Sequence, residues 1–104
     1  NYKILEASSG TEAIQMVSQH PEIRLVVLDV MMPNMSGYEA CKKLRESQPM
    51  HKLPVIFLTA KDMADELPQG FLCGGNDFVN KPVKKNELLA RVQAQLNMVM
   101  PFEN

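Results

Sequence analysis

The sequence predicts an α/β protein built on a doubly wound parallel sheet, and three observations predict it. The runs Leu25-Val26-Val27-Leu28 and Val55-Ile56-Phe57-Leu58 are continuously apolar, the pattern of strands covered on both faces. Between such runs lie segments whose apolar residues recur three and four positions apart, as on one face of a helix. Clusters of Gly, Pro and Ser separate the two kinds of segment. The resulting order, β-α-β-α-β-α-β-α, joins successive strands through helices and so favours parallel pairing with helices on both faces.

Each element has its own signal. Tyr2-Lys3-Ile4-Leu5-Glu6-Ala7 reads as a short strand, and Ser8-Ser9-Gly10 breaks it and offers a helix start. Ala13, Ile14 and Val17 share a helical face over about 11–19, closed by Pro21. The 25–28 strand follows. Ser36-Gly37-Tyr38-Glu39 matches a capping box, and opens a helix that carries Ala40, Cys41 and Leu44 and fades near Ser47-Gln48-Pro49. Pro54 stands at the entrance of the 55–58 strand, where a missing amide donor does little harm. The next helix is expected to begin near Asp65, with Pro68 in its first turn and Gly74-Gly75 ending it. Phe78-Val79 makes a last short strand, and 86–99 a last helix with Leu88, Leu89, Val92 and Leu96 inward.

Bulk composition bounds the function. A chain of 104 residues and 11.7 kDa is expected to form one domain, over 1–100, with 101–104 as a tail or the start of a linker. Eleven basic residues against twelve acidic ones leave a net charge of −1, so no global field favours direct nucleic-acid or anionic-membrane binding. No apolar run approaches the roughly 20 residues needed to cross a bilayer. Asn1-Tyr2-Lys3-Ile4 leads straight into patterned sequence with no secretory leader, and a cytoplasmic location is expected. Cys41 and Cys73 lack CxxC spacing and read as buried or half-buried free thiols of a reducing compartment, with a disulfide or a metal site as the alternative. Most of the eight methionines read as core or loop packing.

The chemistry gathers at strand ends. Asp29 closes the most apolar stretch of the chain, and a carboxylate there costs solvation energy unless it has a task at the mouth of a sheet. The 55–58 run leads into Thr59-Ala60, and Asp77-Phe78-Val79-Asn80 leads into Lys81-Pro82. Ligands of parallel α/β sheets collect outside the carboxyl ends of the strands, so an acid, a hydroxyl and an amine would converge there. That set suits a phosphoryl group, whose transfer asks mainly for positioning and charge neutralisation. His20 and His51 read as exposed helix-end or loop residues, and Asp62, Asp65 and Glu66 as a solvated acidic edge. Lys84-Lys85 is too short for a nucleic-acid patch.

Leu28-Asp29-Val30-Met31-Met32-Pro33 with Ser36-Gly37, then Leu58-Thr59-Ala60, then Gly74-Gly75-Asn76-Asp77-Phe78 with Lys81-Pro82, resemble in order and spacing the receiver domains of two-component signalling. The similarity runs from Tyr2 to about Leu96 and implies a flavodoxin-like fold. It implies that Asp29 is the phosphoacceptor, attacking a phosphohistidine of a histidine kinase or phosphotransfer domain. Thr59 would bind a phosphoryl oxygen after transfer, and Lys81 would pair with the same group, ahead of a cis peptide to Pro82. Phe78 stands at the family's switch aromatic. Asp29 and the backbone carbonyl of Met31 would be ligands of Mg2+. Partner binding or homodimerisation would use the last two helices and the Phe78 strand.

One part of the family pattern is not found. Receivers begin with a further strand ending in an acidic pair that holds the metal, and here the first βα unit and that pair are missing, Glu6 being the one acid near the first strand. The expectation is a sheet that closes up, borrows a strand from another chain, or keeps open edges. Mg2+ binding and phosphorylation are expected to be weak in this chain and full in a complete domain. The leading function is a phosphoacceptor switch that is not a separate enzyme. The alternative is a degenerate receiver acting only in interaction or dimerisation. A flavin-binding module of similar topology would need a hydroxyl- and glycine-rich phosphate loop, which is not found.

Overall fold

The computed structural model describes residues 3–31, 35–50, 52–60 and 67–99. Strands β1 (Lys3–Ala7), β2 (Ile23–Asp29), β3 (Val55–Thr59) and β4 (Asp77–Asn80) alternate with helices α1 (Gly10–Gln19), α2 (Gly37–Arg45), α3 (Leu67–Leu72) and α4 (Lys85–Val99). The strands form one parallel sheet in the order β1-β2-β3-β4. Of the three arrangements expected for the sheet, the first is found: β1 pairs directly with β2, Leu5 opposite Val26 and Ala7 opposite Leu28.

Local sequence accounts for the helix starts. Ser9 Oγ accepts the Glu12 amide at 3.1 Å, which places the cap of α1 one residue ahead of the expected start. The expected capping box of α2 is complete: Ser36 Oγ accepts the Glu39 amide and Glu39 Oε1 accepts the Ser36 amide, both at 3.1 Å. Such a cap contributes about 1 kcal/mol. Pro68 is the second residue of α3, where an absent amide proton leaves no intrahelical bond unmade. Gly74, at φ +101°, turns the chain out of α3 into β4, a conformation that favours glycine.

The sheet is covered on two faces by unequal amounts of helix. Right-handed crossovers in a monotonic strand order put successive helices on one side. Accordingly α1 and α2 pack with Leu5, Ala7, Val26, Leu28, Val55 and Phe57 in one cluster. Leu25, Val27, Ile56, Leu58 and Val79 face the other way and are covered by Val92 and Leu96 of α4, with Leu88 half-buried beside them. Leu89, expected to point inward, is 52% exposed. Sheet width decides this: α4 covers β2 to β4 with a narrow stripe, and position 89 falls outside it. The uncovered part of this face is at β1, where Ile4 is 41% exposed.

A half-buried cation joins the connections at the amino end of the sheet. Arg45 donates Nε to the Gly74 carbonyl at 2.8 Å, Nη1 to the Gln48 and Leu53 carbonyls at 2.9 and 2.8 Å, and Nη2 to Asn76 Oδ1 at 2.9 Å. Asn76 Oδ1 also accepts the Val55 amide at 3.0 Å, so one guanidinium ties the end of α2 to the entries of β3 and β4.

Candidate functional site

The carboxyl ends of β2, β3 and β4 lie side by side, with Asp29 opposite Leu58 and Thr59 opposite Asn80. Asp29 is held there by both sequence and packing. The Val30 amide donates to the Leu58 carbonyl and the Gly37 amide to the Val30 carbonyl, each at 3.0 Å. A Cβ at position 37 would come within 2.5 Å of the Asp29 carbonyl oxygen, so only glycine lets α2 begin this close to the strand end.

The side chains of Asp29 and Lys81 meet. Lys81 Nζ donates to Asp29 Oδ2, while the Met31 amide donates to Asp29 Oδ1 at 3.0 Å. The pair is open to solvent, the side chains 28% and 41% exposed respectively. Lys81 comes from the loop after β4 and is drawn in by its own amide, which donates to the Thr59 carbonyl at 2.6 Å. The Lys81–Pro82 peptide is cis, as the motif implies.

Thr59 stands beside the pair with its hydroxyl turned elsewhere. It is 2% exposed, and its Oγ1 lies 3.1 Å from Asn80 Oδ1 and 3.2 Å from the Ala60 carbonyl oxygen. The strand pleat explains this: Thr59 follows Phe57 on the α2 side, whereas Asp29 follows Val27 on the α4 side. The expected convergence is therefore direct for residues 29 and 81 and indirect, through the Thr59 backbone, for 59. Asn80 was missed by sequence reasoning; its place opposite Thr59 depends on strand register, which no short motif states.

Phe78 is half-buried within an aromatic row. Its ring centroid lies 5.3 Å from Phe57 and 4.9 Å from Phe71, and Phe57 in turn lies 5.1 Å from Tyr38. Phe71, 54% exposed, connects that row to the surface. His20 is half-exposed, Nδ1 3.2 Å from Glu22 Oε2, and far from this chemistry in the fold. The readings of His51, of Asp62, Asp65 and Glu66, of the start of α3 near Asp65, and of the tail 101–104 fall outside the described residues.

Magnesium fits this donor set poorly. A hard cation needs several oxygens in near-octahedral array. Here both Asp29 oxygens already accept hydrogen bonds, and the described residues contain no cluster of three or more metal-ligating side chains. Glu6 shares a cleft of about 310 Å³ with Asp29, on the rim left by the closed sheet. Among the described residues no helix is long and apolar enough to cross a membrane.

Fold and site together define a flavodoxin-like α/β module with a carboxylate–ammonium pair at the carboxyl edge of its sheet. Comparison with known proteins agrees. The family model for the response regulator receiver domain matches residues 1–93. The transcriptional regulatory protein YrkP of Bacillus subtilis is 42% identical over 95 residues, 91% of this chain and 39% of that protein. The regulatory protein VanR of Enterococcus faecium is 36% identical over 102 residues, 98% of this chain and 42% of that protein. The signal receiver domain of a histidine kinase from Syntrophus aciditrophicus superposes with a TM-score of 0.79 at 32% identity, covering 100% of this chain and 78% of that one.

The chain belongs to the response regulator receiver domain family. That family supports a phosphoacceptor signalling switch of a two-component system, and the degenerate alternative is not favoured. Receiver domains act with histidine kinases or phosphotransfer partners and generally bind Mg2+ at an acidic pocket. The chain spans about two fifths of the two curated relatives named above, at 39% and 42%.

Proposed function

We propose that Asp29 is the phosphoacceptor, taking a phosphoryl group from a phosphohistidine of a histidine kinase or phosphotransfer domain. The observation that carries this is the solvent-open Asp29–Lys81 pair at the carboxyl edge of the sheet. Asp29 Oδ2 would attack phosphorus as the bond to the histidine nitrogen breaks. Lys81, a compact point charge, would move from the carboxylate to a phosphoryl oxygen. The Met31 amide keeps Asp29 oriented.

Thr59 and Phe78 make the response. The Thr59 hydroxyl would leave Asn80 for a phosphoryl oxygen, exchanging a neutral hydrogen bond for a charge-assisted one about twice as strong. Phe78 would follow by rotating between Phe57 and Phe71. A residue that adds roughly two negative charges can bias such a two-state packing. Mg2+ binding by the described donor set alone is weak in this reading. The same reading puts the protein in the cytoplasm.

The test is chemical mapping. After incubation with acetyl phosphate and magnesium ions, borohydride should convert the acyl phosphate to homoserine at position 29. A label on any other residue rejects the assignment.

The surface formed by α3, β4 and α4 would be the partner or dimer face. It exposes Phe71, Leu72, Val83 and Leu89. A cysteine introduced at position 89 should crosslink between copies more strongly with beryllofluoride than without it. Equal crosslinking in both conditions would remove the switching role of that face.

A further inference from the structure

We propose that Cys41 and Cys73 form a reversible redox site, closing to a disulfide that ties α2 to the turn leaving α3. The two residues are 32 positions apart, yet the fold brings them together. Cys41 Sγ lies 3.5 Å from the Cys73 carbonyl oxygen, to which the thiol donates. A disulfide needs Cβ atoms about 3.5–4.5 Å apart, and the contact of the Cys41 thiol with the Cys73 backbone brings the two residues side by side as that requires. Neither is engaged in a disulfide in the structure.

Their settings divide the labour. Cys41 is fully buried on the inner face of α2. Cys73 is half-buried and lines an open cleft of about 490 Å³ with Tyr38, Glu39, Lys42, Arg45 and Leu72. An oxidant entering that cleft reaches Cys73 first, and Cys41 is placed to resolve the product. With hydrogen peroxide, the Cys73 thiolate attacks one oxygen, the O–O bond breaks, and hydroxide leaves as water, giving a sulfenic acid. Cys41 then loses its proton and attacks the Cys73 sulfur; the S–S bond forms, the S–O bond breaks, and a second water leaves. Two thiols are oxidised and one peroxide is reduced to two waters.

Charge around the pair sets its pace. Burial pushes the Cys41 thiol up to about 12 and raises that of Cys73 as well. The Arg45 guanidinium works the other way on both, with Lys42 and Glu39 the further charged groups lining the cleft. The thiolate is the reactive form, so closure should be slow near neutrality and accelerate about tenfold per pH unit in mildly alkaline solution. Closure would pin the end of α3 and limit any movement of Phe71 against Phe78, which shares the cluster that Cys73 packs on. The site stands apart from the phosphoacceptor reading.

The test treats the protein with hydrogen peroxide, quenches with an alkylating reagent under denaturing conditions, and reads intact and peptide masses. Support is the loss of two hydrogens, protection of both cysteines, a 41–73 crosslinked peptide, and full reversal by dithiothreitol. In Cys41→Ala, Cys73 should instead stop at a dimedone-trappable sulfenic acid, which also shows that the thiol is reached if that variant folds less well. Dimedone-trappable Cys73 accumulating in the unsubstituted protein overturns the proposal. So does an intermolecular disulfide as the sole product, or two intact thiols under conditions that oxidise free cysteine.

Discussion

Asp29→Asn is expected to abolish phosphorylation by acetyl phosphate or a phosphorylated kinase, while thermal stability stays within about 1 kcal/mol of the parent. The amide has no anionic oxygen to attack phosphorus, and no later step can replace that. Stability should hardly change because the pair is open to water: Lys81, 41% exposed, is solvated when its partner is neutralised. Asp29→Glu keeps the charge but moves the nucleophile by one methylene, and misplacement of about 1 Å costs roughly 100-fold in a positioned reaction. Lys81→Met should retain the nucleophile and lose transition-state neutralisation, again at about 100-fold. The measurements are the initial rate of adduct formation by mass and the unfolding midpoint of each variant. Adduct formation by Asp29→Asn at the parent rate would show that another residue accepts the group.

Arg45→Ala should lower stability by about 1.5–3 kcal/mol, a sizeable part of the roughly 5–15 kcal/mol of a small domain. The guanidinium is buried enough for desolvation to lower its pKa, and it satisfies the carbonyls of Gly74, Gln48 and Leu53 together with Asn76 Oδ1. Removing it leaves the Gly74, Gln48 and Leu53 carbonyls without this donor, while Asn76 Oδ1 keeps the Val55 amide, and an unpaired acceptor costs more than its bond contributes. Arg45→Lys should recover little, because an ammonium lacks the planar fork that reaches carbonyls on two connections at once. Urea denaturation with the midpoint and slope measured together checks this; a loss below 1 kcal/mol would show that the network has little net value.

Local signals in the chain were enough for the elements. Alternate covering of the 25–28 and 55–58 runs, the Ser36–Glu39 box and the glycine after α3 each depend on residues within a few positions, and each is found. The acidic and basic members of the site were legible for a related reason. Asp29 and Lys81 sit at ends of apolar runs, and parallel topology brings strand ends to one edge. The inward reading of Leu89 failed because helical periodicity says which residues share a face, not how wide a sheet that face will cover.

By itself, then, the amino-acid order determined the alternation of strands and helices and the edge of the sheet on which Asp29 and Lys81 meet. Pairing over distance decided the rest. Only the folded chain sets Thr59 against Asn80, joins Arg45 to four partners on two connections, and brings Cys41 to Cys73. Such contacts depend on strand register and helix placement summed over the whole core, and a short window of sequence does not contain that sum.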